Sequence, residues 1–146
     1  MKKRPKQPPS SQSGAGRARP SLSKGELQVA RVLWELCEAL DGPATVRQVH
    51  EALPEDKSME FPTVQTYLRR LEQKGYVTAT IVGRARHYRA RVKPTTVIRQ
   101  TVDEFVDQLF DGEALPLVRH LVEQRGLSPV EIAQLRDLVD RMEDES

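Results

Sequence analysis

The sequence predicts a mainly α-helical protein with one small β-hairpin, and three observations predict this fold class. Apolar residues recur every three or four positions over most of residues 23–74, which is the period of amphipathic helices. Between residues 76 and 92 the composition shifts to β-branched residues on either side of a glycine, which is typical of a hairpin. From residue 94 to the end of the 146-residue chain the helical period returns.

The N-terminal segment is basic and carries almost nothing that a core could bury. Residues 1–20 contain six Lys or Arg and no acidic residue, among many Pro, Ser and Gly. A segment with so few apolar side chains gains too little free energy from burial to offset the conformational entropy lost on ordering. We therefore expect a disordered arm over residues 1–22. Two interpretations remain open: an arm that seeks phosphate groups, or a tail that only increases solubility.

The first helix begins after Ser23, which forms an S-x-x-E capping box with Glu26. Asp41-Gly42-Pro43 provides the stop signal at its other end. Cys37 lies on the apolar face of this helix, so we interpret it as a core residue and not as a nucleophile. That face consists of Leu27, Ala30, Leu33, Trp34, Cys37 and Leu40.

Two more helices are predicted before the hairpin. Thr45 and Gln48 form a second capping box, and Pro54 ends the helix that follows. A third helix extends from about Phe61 to Lys74 and ends at Gly75, a residue suited to a left-handed cap. Its expected inner face contains Val64, Leu68 and Leu71, with Tyr67 beside them.

The hairpin follows the third helix directly, with strands over residues 76–82 and 84–92 and a reversal at Gly83. Three helices followed by a hairpin within about 70 residues outline a winged helix-turn-helix domain. We therefore predict an N-terminal winged-helix domain over residues 23–93.

The pattern of residues 94–146 predicts a helical domain whose apolar faces have too few partners within the same chain. Asp111-Gly112 and Gly126 separate three amphipathic segments, and Ser128 with Glu131 caps the last one. Burying these apolar faces most simply requires a second copy of the chain, so we expect a homodimer. The candidate dimerisation residues are Phe105, Leu109, Phe110, Leu121, Ile132, Leu135 and Leu138.

The charge is unevenly distributed along the chain, although its net value is only +2. Residues 1–20 carry +6, residues 21–93 carry +3 and residues 94–146 carry −7. A basic front half favours a polyanionic partner. The apolar runs are too short to span a bilayer or to form a secretory signal, so we expect a cytoplasmic protein that does not enter a membrane.

The sequence does not favour an enzyme. It contains no glycine-rich phosphate loop and no hydrolase or metalloprotease motif. His50, His87 and His120 fall on three different predicted elements without metal-ligand spacing, and one cysteine cannot form a thiolate cage. We expect no catalytic residue, no cofactor and no metal site.

The candidate nucleic-acid-binding residues lie on the third helix and on the hairpin. Polar side chains near the start of a recognition helix read bases in the major groove, and arginines bind guanine or phosphate. The candidates are Arg47, Thr63, Gln65, Thr66, Arg69, Arg70, Arg84 and Arg86. The alternatives are a solvated helix face for the third helix, a charged edge strand for the hairpin and a merely exposed position for Arg47.

An ordered series of short motifs resembles the penicillinase-repressor family, which includes the β-lactamase, methicillin-resistance and copper-responsive repressors. The resemblance extends from about residue 22 to residue 142. It rests on Leu33-Trp34, Gly42-Pro43-Ala44-Thr45-Val46-Arg47, Thr63-Val64-Gln65-Thr66, Arg69-Arg70-Leu71, Lys74-Gly75, Gly83-Arg84-Ala85 with Tyr88, Leu109-Phe110 and Leu127-Ser128-Pro129-Val130-Glu131-Ile132.

The resemblance implies a winged helix with a C-terminal dimerisation domain, in a homodimeric repressor of a palindromic operator. It also implies that Thr63, Gln65, Thr66 and Arg70 contact DNA, with the turn at Gly83 as the wing. Pro62 stands where the family often has a polar or basic residue.

Two release mechanisms of the family are not matched in this sequence. The antibiotic-responsive members are cleaved near an Asn-Phe bond on the signal of a membrane sensor, and here the matching position is Leu109-Phe110. A sensor protease or another inducing partner is therefore left open, as is a small-molecule effector. The copper-responsive members carry C-terminal cysteine pairs, which this chain lacks.

The sequence thus predicts a cytoplasmic, dimeric winged-helix repressor that binds a double-stranded DNA operator through the third helix and the wing. The alternative is a protein–protein adaptor that uses the winged helix as a docking surface, without sequence-specific DNA binding.

Overall fold

The computed structural model describes residues 19–145, which form six α-helices and one three-stranded sheet. The predicted fold class, mainly helical with a small β component, is confirmed. The chain divides into two compact units, the first ending at Arg99 and the second beginning at Gln100. The disordered arm was expected over residues 1–22, and residues 1–18 of it lie outside the described residues. Residues 19–22 are described, and Arg19, Pro20 and Ser21 are hydrogen-bonded to residues 74–76 after α3.

The first unit contains α1 to α3, the sheet and the start of α4. A single 3₁₀ turn, Glu55–Lys57, connects α2 to α3. The elements are α1 (Lys24–Leu40), β1 (Ala44–Thr45), α2 (Val46–Ala52), α3 (Phe61–Gln73), β2 (Val77–Val82) and β3 (Ala85–Ala90).

Local side-chain chemistry sets the starts of α1 and α2. The Ser23 hydroxyl accepts from the Glu26 amide at 3.2 Å, and the Glu26 carboxylate accepts from the Ser23 amide at 2.8 Å. Thr45 and Gln48 make the same reciprocal pair. Both predicted capping boxes are confirmed. Asp41 ends α1 in the left-handed region, with a φ of 53°.

The sheet has one strand more than the predicted hairpin. β2 and β3 pair in antiparallel fashion around Gly83, whose φ is +65°. β1 then adds to the other edge of β3, with Ala44 opposite Tyr88, and gives the strand order β1-β3-β2. Two residues show no alternating pattern, so only the tertiary structure identifies them as a strand.

The core of the first unit is built on the inner face of α3. Val64, Leu68 and Leu71 are fully buried there. They belong to one apolar cluster with Val29 and Leu33 of α1, Val49 of α2 and Tyr88 of β3. With this face buried, the opposite face of α3 is left to solvent.

The helix α4 (Pro94–Phe110) begins in the first unit and continues into the second. Its residue Val97 is buried in the core of the first unit. The first unit therefore extends to Arg99, whereas the sequence placed a domain boundary after residue 93.

The second unit consists of the rest of α4, α5 (Ala114–His120) and α6 (Pro129–Glu145). The turn after α5, Leu121–Arg125, is π-helical, where the sequence predicted an ordinary amphipathic segment. The capping box of Ser128 and Glu131 is present, with hydrogen bonds of 2.9 and 3.1 Å.

No side chain among residues 100–145 is buried. The large apolar side chains that this unit exposes are Val102, Phe105, Leu109, Leu115, Val118, Leu121, Val122, Val130, Leu138, Val139 and Met142. An isolated unit of this kind has no hydrophobic core of its own.

A partly buried ion pair connects the start of α1 to the end of α3. Glu26 is only 2% exposed, and its Oε1 lies 2.6 Å from Nζ of Lys74. Burial by itself raises the pKa of Glu26. The hydrogen bonds from Lys74 and from the Ser23 amide, with the charges of Lys74 and Arg70, outweigh that effect and lower the pKa below its usual value.

Replacing Glu26 by Gln should lower the free energy of unfolding at neutral pH by about 1–3 kcal/mol, because a charge-assisted hydrogen bond is lost. A lowered pKa in the folded state stabilises the protein above pH ~4.3, and this contribution disappears as the pH falls through the folded-state pKa. The difference in the free energy of unfolding between the parent and the Glu26→Gln variant should therefore become smaller in acid. Urea unfolding from pH 7 to pH 3 measures it.

The matched control is Glu35→Gln, which removes the same charge from an exposed position of α1. A Glu26→Gln variant as stable as the control at pH 7, or a stability difference that stays constant into acid, would contradict the role of this ion pair.

Candidate nucleic-acid interface

The exposed face of α3 presents polar side chains in its N-terminal half and arginines in its C-terminal half. Gln65, Thr66, Arg69 and Arg70 are exposed, and Thr63 is half-buried. Pro62 occupies the first turn, where its missing amide costs no helical hydrogen bond. The buried inner face holds α3 against the core, so this outer face is presented on a rigid element.

A cleft of about 550 Å³ lies between α2, α3 and the β2–β3 hairpin. We call it the arginine cleft, because Arg47, Arg69, Arg84 and Arg86 line it together with Gln65. No acidic side chain is among its lining residues. The fold thus brings together five of the eight predicted binding residues, from three separate elements.

The other three predicted residues lie outside the arginine cleft but on α3. The Thr66 hydroxyl donates to the carbonyl of Pro62 at 3.0 Å, so its oxygen remains available only as an acceptor, beside its methyl group. The guanidinium of Arg70 lies 5.8 Å from the centre of the Tyr67 ring, within cation–π range. Thr63 stands one turn before Tyr67.

Arg86 differs from the other arginines of the cleft. Its Nη2 donates to both carboxylate oxygens of Glu72 on α3, at 3.2 and 3.3 Å. The pair is about one-third exposed on each side. It braces the hairpin against α3 and offsets part of the charge of Arg86, whereas Arg84 beside the Gly83 turn is exposed.

Glu72, the partner of Arg86, was not among the residues predicted from the sequence. Both residues were visible as charges, but the pairing joins a helix to a strand 14 residues later and depends on the packing of the hairpin. Cys37 is half-buried and its thiol lies 3.7 Å from the Tyr88 carbonyl, which is consistent with a packing residue.

Within residues 19–145 no three His, Cys, Asp or Glu side chains are placed to hold a metal ion. Over the same residues, the helices are too short or too polar to cross a bilayer.

The first unit contains three helices, a short strand and a hairpin, and the polar and basic face of α3 is exposed beside that hairpin. This arrangement is typical of the winged-helix class of regulators. The match to a particular family is extensive: the penicillinase repressor family model covers residues 22–141. The chain belongs to the penicillinase repressor family, whose members are transcriptional regulators and not enzymes. The predicted resemblance is confirmed.

Individual relatives agree with this assignment. The chain is 23% identical over 120 residues to the methicillin resistance regulatory protein MecI of Staphylococcus aureus (strain N315), covering 82% of this chain and 94% of that protein. It is 25% identical over 121 residues to the penicillinase repressor of Bacillus licheniformis, covering 83% and 91%. It is 34% identical over 95 residues to the transcriptional regulator BlaI of Mycobacterium tuberculosis (strain CDC 1551 / Oshkosh), covering 64% and 66%.

Replacing Glu72 by Gln should loosen the hairpin, because Arg86 loses its charged partner while the shape of the side chain is kept. The pair is partly exposed, so the expected loss of local stability is at most about 1 kcal/mol. Amide hydrogen exchange should become faster in residues 77–90 and stay unchanged in α1.

Glu51→Gln, at an exposed position of α2, is the control for the change in charge. Unchanged exchange in residues 77–90 of the Glu72→Gln variant would show that the ion pair does not brace the wing.

Proposed function

We propose that this chain is a homodimeric DNA-binding repressor that recognises a palindromic operator through α3 and the β2–β3 hairpin. The observation that carries the proposal is the arginine cleft, which concentrates positive charge beside the exposed face of α3 in a member of a repressor family. A rigid helix beside a cationic cleft suits a duplex, whose groove admits the helix while its phosphates lie alongside.

The roles divide between base reading and phosphate binding. Gln65 has the amide that pairs with adenine, and the threonine methyl groups of Thr63 and Thr66 suit contact with thymine. Arg69 and Arg70 follow on the same helix and reach guanine or phosphate.

The phosphate contacts come from the walls of the cleft. Arg47 at the start of α2 and Arg84 at the wing turn are exposed and bind backbone phosphates on either side of α3. Arg86 contributes charge and holds the wing through Glu72.

The dimer is inferred from the second unit. A unit of three helices without one buried side chain must cover its apolar faces, and a second copy offers matching faces in a two-fold arrangement. Of the predicted dimerisation residues, Phe105, Leu109, Leu121 and Leu138 are exposed, and Phe110, Ile132 and Leu135 are half-buried. An apolar cleft of about 310 Å³ lies between α5, the π-helical turn and α6.

A two-fold dimer carries two identical recognition helices, so its operator should be a palindrome with half-sites about one helical turn apart. Fluorescence anisotropy on the DNA upstream of its own gene, against scrambled DNA, tests the proposal. We expect a preference of about a thousandfold at physiological salt, with two chains per site.

Replacing Gln65 by Ala should reduce discrimination at one base pair by roughly 1–3 kcal/mol, because a bidentate contact is lost.

Gln108→Ala changes an exposed glutamine of the second unit and serves as the control. Equal binding of the parent to both DNAs would contradict the proposed function. A Gln65→Ala variant that weakens binding equally at every sequence would contradict base reading by this residue.

The dimer makes a separate prediction. Leu138→Asp places a charge among the apolar side chains of the second unit and should shift the protein to monomers in sedimentation velocity, while the helical content of the first unit is kept. Ala133→Asp, at an exposed position of the same helix, should stay dimeric. A parent that sediments as a monomer would contradict the dimer directly.

A further inference from the structure

Tyr67 lies on the flank of α3 that faces α1, away from the flank that lines the arginine cleft. Its side chain is half-buried and packs against the core of the first unit, whereas Gln65 and Arg69 line the cleft. Successive residues of an α-helix are rotated by about 100°, so residues three or four apart share a flank. Arg70 therefore lies on the flank of Tyr67, apart from the arginines of the cleft.

Gly25 of α1 leaves the space that the Tyr67 ring occupies. A Cβ atom at residue 25 would lie 2.5 Å from Cζ and 2.7 Å from Cε2 of the ring, closer than non-bonded carbon atoms approach. Glycine within a helix costs stability relative to alanine, so this close approach gives a physical reason for a glycine here. The ring is the outer end of a flexible side chain, so a larger residue at position 25 would displace it.

The same ring lies beside the guanidinium of Arg70, which is 5.8 Å from the ring centre. The Arg70 side chain is exposed, and a long side chain loses rotamer entropy when it binds a base or a phosphate. A ring that is held against α1 and attracts the guanidinium restricts the conformations that Arg70 samples before it binds. The contact thus reduces the entropy that Arg70 loses on binding.

We propose that Tyr67 is a positioning residue for Arg70, and that Gly25 allows the ring to take this position. The proposal rests on the DNA binding proposed above, in which Arg70 reaches guanine or phosphate. Tyr67 acts through Arg70, so its ring increases affinity for DNA only while Arg70 is present. The arrangement gives α3 an arginine of defined orientation on the flank away from the arginine cleft.

A double-mutant cycle measures this coupling on the DNA upstream of the protein's own gene. It compares the parent, Tyr67→Leu, Arg70→Ala and the variant with both changes. Leucine keeps an apolar side chain against the core but removes the ring. We expect Tyr67→Leu to weaken binding about two- to fivefold, the range of an exposed cation–π contact, and to have no further effect in the Arg70→Ala protein. An equal loss with and without Arg70 would overturn the proposal.

Two controls separate the ring from its surroundings. In an Arg69→Ala protein, Tyr67→Leu should still cause its full loss of affinity, because Arg69 lies on the other flank of α3. Tyr67→Phe keeps the ring and should bind like the parent. A Tyr67→Phe variant as weak as Tyr67→Leu would overturn the proposal, since the hydroxyl and not the ring would then be responsible.

Gly25→Ala tests the contact with α1 from the other side. Alanine is the better helix former, yet this variant should bind DNA as weakly as Tyr67→Leu, because the added Cβ displaces the ring. In the Tyr67→Leu protein the same change should weaken binding no further. A Gly25→Ala variant that binds like the parent would overturn the role of Gly25. Thermal unfolding verifies that each variant is folded.

The positioning of Arg70 can also be measured without DNA, which separates this proposal from the proposed function. NMR relaxation of the Arg70 Nε–H group in the full-length chain should show restricted motion in the parent and greater motion in Tyr67→Leu, with the Arg69 group unchanged. A parent without preference for operator over scrambled DNA would contradict the proposed function and leave this measurement valid. Equal motion of the Arg70 group in both proteins would overturn the positioning role even where the operator is bound.

Discussion

The first unit depends on the burial of one face of α3. Val64, Leu68 and Leu71 are fully enclosed by α1, α2 and the sheet, and this packing sets the rotation of the helix about its own axis. A helix whose apolar side chains occupy only one face must present the remaining ones to solvent. The polar and basic side chains of α3 are therefore exposed as a direct consequence of the core, and the wing is placed against them.

Two ion pairs extend this constraint to the ends of the helix and to the hairpin. Lys74 joins the end of α3 to Glu26, and Glu72 joins its flank to Arg86. They differ in environment: the carboxylate of Glu26 is buried, whereas both partners of the second pair are partly exposed. The first pair holds α1 against the end of α3, and the second holds the wing against the side of α3.

The two units differ in which side chains they bury and which they expose. The first buries a complete core and leaves a basic surface exposed, while the second leaves its apolar side chains exposed and carries most of the acidic ones. A repulsive negative charge makes the second unit unsuited to DNA, and its uncovered apolar faces suit another copy of the chain. The proposed repressor thus divides recognition and assembly between two parts of one short chain.

Features that depend on neighbours in sequence were predictable from the sequence. The capping boxes at Ser23, Thr45 and Ser128, the chain reversal at Gly83 and the apolar face of α3 each follow from residues within a few positions of one another. The helices, the hairpin and the fold class could therefore be predicted. The candidate binding residues followed from the predicted exposed face of α3 and from the run of arginines in the hairpin.

Only the tertiary structure decided what depends on distant partners: the pairing of β1 with β3, the burial of Val97, the salt bridges of Glu26 and Glu72, and the attachment of residues 19–22 to the end of α3. Helical and strand periods record which side of an element is apolar, but they contain no information about which distant charge or carbonyl it will meet.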